Sequence, residues 1–198
     1  MMQHAAHGGV APLVTVFCDA ASVCFRGVFM ATTRCWSIGN LEHTITIRDA
    51  SERDYEQWVS LWAQYNAFYG REGPTALSED IVLSTWRRLF DPNEQVFCLV
   101  AEYGGRLVGL AHYIFHRNTI TIEDTCYLQD LFAEPGMRGM GIGQKLMSAF
   151  YERANQAGTR GVYWHTHATN KTAMKLYDKI AANTEFVVYR SADLAKPT

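Results

Sequence analysis

The sequence predicts an α+β domain, a central and mostly antiparallel sheet with helices on its flanks, and three observations carry that reading. Period-two apolar alternation recurs in short runs, as in Thr44-Ile45-Thr46-Ile47-Arg48 and Arg106 to His116. Helical spacing intervenes, with Trp58, Leu61, Trp62 and Tyr65 at i, i+3, i+4 and i+7. A run of glycines then separates a strand pattern from a helix pattern in the C-terminal half.

A chain of 198 residues with a 48% hydrophobic share is long enough for a sizeable core and predicts one globular unit. Composition shifts near residue 43, so residues 43–191 read as the domain, with an extension at 1–42 and a tail at 192–198. The extension reads as a poorly ordered tail, a docking element, or an over-long start with Met30 as the real beginning. Within the domain, the strand at Thr44 to Arg48 comes first. Ser51 and Asp54 make a capping-box-like start for a helix to about Tyr69, which Gly70 through Pro74 ends. Ser78, with the acidic pair Glu79 and Asp80, opens a second helix to about Phe90, closed by Asp91-Pro92-Asn93. Val96 to Glu102 and Arg106 to His116 flank the turn Gly104-Gly105 as two antiparallel strands. Cys126 to Ala133 is a further strand, and after Pro135-Gly136 the glycine run leads into a helix from Gln144 to Ala157. Gly161 to His167 reads as a strand, Asn170 to Ala182 as a helix and Glu185 to Tyr189 as a final strand.

Charge and cysteine usage narrow the function classes. Net charge is −2 with a pI near 6.4, so no electrostatic footprint favours nucleic acid or an anionic membrane, and the expected partner is a small molecule. Cysteines at 18, 24, 35, 98 and 126 form no C-x-x-C pair and match neither a disulfide framework nor a zinc site; they read as reduced thiols of a cytoplasmic protein. The apolar stretch Val10 to Met30 is interrupted by Asp19, Arg26 and Gly27 and lacks a preceding basic region, unlike a signal peptide or a membrane span.

The glycine run is where chemistry begins. Gly139, Gly141 and Gly143 remove side chains where a loop enters a helix, so backbone N–H groups approach an anion at the positive end of the helix dipole. A phosphate or pyrophosphate is the natural ligand. The dinucleotide fingerprint G-x-G-x-x-G fails, because Gln144 and Leu146 stand where its third glycine is needed. A P-loop fails too, since Gly143 is followed by Gln144 and Lys145 rather than Lys and Ser or Thr.

What remains, Arg138-Gly139-Met140-Gly141-Ile142-Gly143, resembles the pyrophosphate loop of the GNAT superfamily of N-acetyltransferases, Gln/Arg-x-x-Gly-x-Gly/Ala. Upstream, Tyr127-Leu128-Gln129-Asp130-Leu131-Phe132-Ala133 resembles the family's fourth strand. Downstream, Asn170-Lys171-Thr172-Ala173-Met174-Lys175-Leu176-Tyr177 resembles its Asn-x-x-Ala-x-x-x-Tyr helix. The resemblance runs from about Ile45 to Arg190 and is greatest to the diamine acetyltransferase-like branch. It implies the acyl-CoA N-acyltransferase fold, with two parallel strands splayed apart to admit the pantetheine arm of acetyl-CoA, and it implies a homodimer. Unpaired backbone groups at such a splay are satisfied by the amides of the arm, as by an added strand.

Carried over position by position, the resemblance assigns Leu131, Phe132 and Ala133 to pantetheine, with one N–H there facing the acetyl oxygen. It assigns Arg138, Gly139, Met140, Gly141, Ile142, Gly143 and Gln144 to the pyrophosphate. Asn170, with Ala173, goes to the pantetheine or cysteamine region. Tyr177 is the expected general acid, because the departing thiolate needs a proton. No metal is expected, and His165 and His167, like His112 and His116, lack a third ligand.

The acceptor is expected to be a small-molecule primary amine, polyamine or amino-acid-like, with protein lysine or a non-catalytic acyl-CoA-binding role as alternatives. Attack requires a neutral amine, and an alkylamine of pKa about 10 needs its proton removed. The family's usual glutamate for that task is replaced by Gln129, which is no base. Asp130 is the nearest carboxylate, though strand alternation points it away from Gln129; Glu123, Asp124 or a water held by Gln129 and Tyr127 are further routes. For the acceptor itself the aromatic stretch of the first helix supplies Tyr65, Asn66 and Tyr69, with Tyr127 from the strand.

Overall fold

The computed structural model describes residues 43–191; the sequence readings for 1–42 and 192–198 lie outside the described residues. Strand β1 (Thr46–Asp49) leads through a 3-10 turn into α1 (Tyr55–Phe68), followed by α2 (Glu79–Arg88), β2 (Val96–Tyr103), β3 (Arg106–His116) and β4 (Thr125–Ala133). The C-terminal half adds α3 (Ile142–Gln156), β5 (Gly161–Trp164) and α4 (Lys171–Ile180). The strands form one five-stranded sheet in the order β1-β2-β3-β4-β5, antiparallel except for the parallel pair β4–β5. No helix among the described residues is long and apolar enough to cross a membrane.

Each face of the sheet is covered by helix, and two core clusters result. On one face Leu99, Val108, Tyr113, Cys126 and Leu128 pack against Leu146, Met147 and Phe150 of α3. On the other, Val100, Leu107, Leu110 and Phe132 pack against Trp58, Leu61 and Trp62 of α1. Leu99, Leu110, Leu146 and Phe150 are fully buried, and at roughly 1.5–3 kcal/mol per side chain such burial holds the helices to the sheet far more firmly than any surface pair.

Strand β4 serves both cores because it changes face midway. Leu128 pairs with Tyr113 and Asp130 with His112, so Gln129 is an extra residue opposite the β3 backbone, a β-bulge. Before the bulge Cys126 and Leu128 point at α3; after it Phe132 points at α1. Simple alternation therefore does not carry across Gln129, which decides the surroundings of Asp130.

Strand β5 pairs with β4 only from Gly161 to Trp164, opposite Thr125 to Leu128. Beyond Leu128, β4 runs on to Ala133 along β3, while the chain after Trp164 leaves the sheet. The expected strand to His167 thus stops three residues early, and His165 and His167 do not share a strand face. The expected strand at Glu185–Tyr189 is not formed either: the segment is irregular, with Phe186 and Tyr189 each 93% exposed. Its run of β-branched and aromatic residues, Phe186-Val187-Val188-Tyr189, makes it strand-capable, but a strand also needs a paired edge, and here none is engaged.

Candidate active site

The splay between β4 and β5 opens a cleft of about 870 Å3. Its lining gathers Leu131, Phe132 and Ala133 of β4, the loop residues Arg138 and Gly139, and Gly141 to Gln144 at the start of α3. Asn170, Ala173 and Tyr177 come in from the opposite side. Nearly all of the predicted cofactor set is therefore brought to one place. Met140 is the exception: it is half exposed and does not line the cleft.

Local geometry makes the start of α3 an anion site. Gly141 is its N-cap with φ of 76°, a left-handed conformation that disfavours any side chain, and no side chain caps the helix. The first helical bond runs from Lys145 N–H to Gly141 O at 2.9 Å. The amides of residues 142–144 are thus left for a ligand, at the positive end of the helix dipole. Across the cleft Asn170 is the N-cap of α4, its Oδ1 accepting from the Ala173 amide at 3.3 Å.

Tyr177 sits one face further along α4, its ring 5.2 Å from that of Trp164. Burial, with a smaller contribution from nearby Tyr69, pushes its phenol up to about 12, so it remains protonated at any physiological pH. Tyr69 and Tyr65 also line the cleft, from the end of α1.

A second cavity of about 360 Å3 opens on the α1–α2 side of β4, and Gln129 lines both spaces. The bulge makes Gln129 exposed and turns Asp130 into the same second cavity rather than away from it, correcting the alternation-based expectation. Asp130 is the centre of a buried polar network. Its Oδ2 accepts from His112 Nδ1 at 2.8 Å and from Trp62 Nε1 at 3.2 Å, while Trp58 Nε1 donates to His112 Nε2 at 2.8 Å. Burial opposes a charge on His112, whereas Cys98 and Asp130 favour one. The indole of Trp58 has only a donor to offer, so Nε2 must carry a lone pair and the ring is the neutral tautomer that donates Nδ1–H to Asp130. Burial alone would raise the Asp130 pKa, but hydrogen bonds from His112, Tyr65 and Trp62 outweigh it and hold the carboxyl below the usual range.

Two predicted substrate contacts are engaged by other protein groups. Tyr127 lines neither cavity; its hydroxyl meets His165 Nδ1 at 3.2 Å and its ring packs on Tyr163. Asn66 does line the second cavity, but it is buried and its Nδ2 donates to the Trp62 carbonyl at 2.8 Å while its Oδ1 receives Arg71. The sequence reading missed Arg71 in the second cavity, as well as Trp164 and Leu176 in the cleft. Arg71 carried a signal, since it directly follows the helix-ending Gly70. The two cavities gave none, because chain distance hides which residues meet. Among the described residues no three His, Cys, Asp or Glu side chains gather in a way that could hold a metal.

Comparisons with known proteins bear on the same region. The model of the acetyltransferase (GNAT) family matches residues 54–181. The chain is 32% identical over 148 residues to D-amino-acid N-acetyltransferase HPA3 of Saccharomyces cerevisiae, covering 74% of this chain and 89% of that protein. It is 27% identical over 147 residues to thialysine N-epsilon-acetyltransferase of Sus scrofa, covering 70% and 84% respectively. Among solved structures, an aminoglycoside acetyltransferase from an uncultured soil metagenomic sample superposes with a TM-score of 0.64 at 17% identity, covering 75% of this chain and 95% of that one. That likeness is one of fold.

Proposed function

The chain belongs to the acetyltransferase (GNAT) family and is an acetyl-CoA-dependent N-acetyltransferase; from that premise we propose that it acetylates a primary amine of a small molecule by direct attack within a ternary complex. The observation that carries this reading is the cleft itself, where the free amides of α3, the unpaired edge of β4 and Tyr177 line one space, and Gln129 lines both it and a second cavity beside it. In it, residues 138–144 hold the pyrophosphate and Leu131 to Ala133 receive the pantetheine amides. The amine nitrogen attacks the thioester carbon after losing a proton to water. A backbone N–H near Phe132 stabilises the developing oxyanion. The nitrogen then gives up its second proton to water, collapse of the intermediate breaks the C–S bond to leave the neutral amide, and the Tyr177 O–H supplies a proton to the departing sulfur and regains one from solvent.

Water takes the base's task because Gln129 has no basic atom and Asp130, hydrogen-bonded by His112 and Trp62 and held below the usual carboxylate range, is a weak proton acceptor. Asp130 instead provides a fixed negative charge beside the incoming ammonium. The reading carries with it a cytoplasmic homodimer without a nucleic-acid partner. The net charge of −2 and the free thiols of Cys98 and Cys126 support the first and last of these, and the exposed run Phe186 to Tyr189 is apolar surface that a second copy would cover. Thiol release from acetyl-CoA across an amine library is the test. Turnover above the hydrolysis background with at least one small amine is expected; turnover only with lysine-bearing peptides, or with nothing, overturns the reading.

A further inference from the structure

The second cavity is lined by two guanidinium groups, Arg71 and Arg88, together with the Asp130 carboxylate. Arg88 is shared with Glu94, 3.6 Å away. Arg71 differs, because among the described residues it meets no carboxylate. Its Nη1 donates instead to Asn66 Oδ1 at 3.1 Å.

The local chain is built to hold that group in place. Gly70, with φ of 78°, ends α1 in a left-handed turn, its N–H bonding to Ala67 O at 2.9 Å. The Arg71 N–H then bonds to Asn66 O at 3.0 Å, the paired bonds of a Schellman stop. Asn66 therefore grips Arg71 twice, through its carbonyl and through its side chain. Its amide cannot turn over, since Nδ2 is committed to the buried Trp62 carbonyl at 2.8 Å. A neutral partner leaves the guanidinium its charge and most of its donors, and the remaining fork suits a carboxylate.

The rest of the cavity completes a pattern. Asp130 presents a negative charge and Leu77, Ile81 and Ile114 present apolar surface, while Gln129 marks the side shared with the cofactor cleft. One cation, one anion and an apolar wall complement a zwitterion with an apolar side chain. A polyamine fits worse, because its second ammonium would face the Arg71 guanidinium, which has no carboxylate partner among the described residues.

We propose that this cavity is the acceptor site and that it takes an α-amino acid, the carboxylate on Arg71, the amine toward Gln129 and Asp130, and an apolar side chain among Leu77, Ile81 and Ile114. The proposal rests on the acetyltransferase reading and deepens it.

The test compares leucine and phenylalanine, in both hands, with isopentylamine and phenethylamine, their counterparts without the carboxyl group, and with spermidine. Wild-type protein is expected to favour an amino acid over its matched amine. In Arg71→Gln, that preference in kcat/KM falls by about ten- to a hundredfold, the scale of one charge-assisted pair, and mainly through KM. Arg71→Lys restores part of it. Equal turnover of amino acid and matched amine by wild type, or an undiminished preference in Arg71→Gln with an unchanged melting temperature, overturns the proposal. If no amine at all is acetylated, the catalytic reading fails, and calorimetry of the same amino acids with CoA-saturated protein judges the site separately. Heat of binding abolished by Arg71→Gln upholds the carboxylate site, and absence of heat with wild type rejects it.

Discussion

The cofactor cleft and the cavity beside it share Gln129, yet they are made in opposite ways. The cleft offers mainly backbone: free amides at the start of α3 and the unpaired edge of β4 line it, and the glycines there leave those groups uncovered. The cavity is a side-chain site, assembled from Trp62, Asn66 and Arg71 at one end of α1, Ile81 and Arg88 from α2, and Gln129 and Asp130 at the bulge. A cofactor common to a whole family can be met by main chain, which every sequence possesses. An acceptor particular to one enzyme must be met by side chains.

The largest effect should come where the two regions face one another at the reacting bond. Tyr177→Phe keeps the ring against Trp164 and removes only the hydroxyl. Turnover at saturation is expected to fall by about a hundredfold or more, at the low end of general-acid contributions, with CoA affinity changed by less than about threefold. Because the phenol is held protonated up to about 12, the wild-type rate should climb with pH as the acceptor amine loses its proton. It should show no decline from Tyr177 below about pH 11. Single-turnover and steady-state pH profiles check both; a turnover unaffected by the lost hydroxyl removes Tyr177 from the reaction.

Legibility in the sequence followed the same division. Glycines at 139, 141 and 143, Asn170 and Tyr177 stand at spacings that the sequence displays, so most of the predicted cofactor set, Met140 apart, could be brought to one cleft from sequence, although Trp164 and Leu176 could not. Helices and antiparallel strands were legible because periodicity records which face each element buries. The bulge at Gln129 was not, because one inserted residue leaves no mark on composition while reversing the face of everything after it. That single feature brings Asp130 and Gln129 to the same cavity. Asn66 was named for its place in the aromatic stretch, and its hydrogen bond from Arg71 joins residues that no pattern in the sequence pairs. The strand expected at Glu185 to Tyr189 is not formed, because pairing is a property of two segments and cannot be seen in one.

A second prediction breaks the backbone side of the comparison without touching the other. In Gly141→Ala the added Cβ meets nothing within 4 Å, so the penalty is conformational rather than steric. Forcing alanine into the left-handed N-cap costs about 1–2 kcal/mol. If ligand binding requires that conformation, CoA affinity drops by about five- to thirtyfold, while turnover at saturating acetyl-CoA and the preference among acceptors stay near wild type. Calorimetric CoA titration and a saturation curve measure this, and a shifted acceptor preference would mean that the two regions are not separable.

The smallest effect, and the sharpest for the boundary between the regions, is expected from Gln129→Glu. The bulge leaves this side chain exposed and touching both spaces. A glutamate here adds a possible base next to the fixed charge of Asp130, and the like charge would raise its own pKa above about 4.3. With water already removing the amine proton, the gain at neutral pH should be within about threefold. The charge balance of the acceptor cavity changes more decisively: one anion more beside Arg71 and Arg88 favours cationic acceptors over zwitterions. Spermidine turnover should therefore rise relative to leucine or phenylalanine, and strong salt should shrink the change. A ratio that does not move would place the acceptor away from Gln129, and the two cavities would then not be halves of one active site.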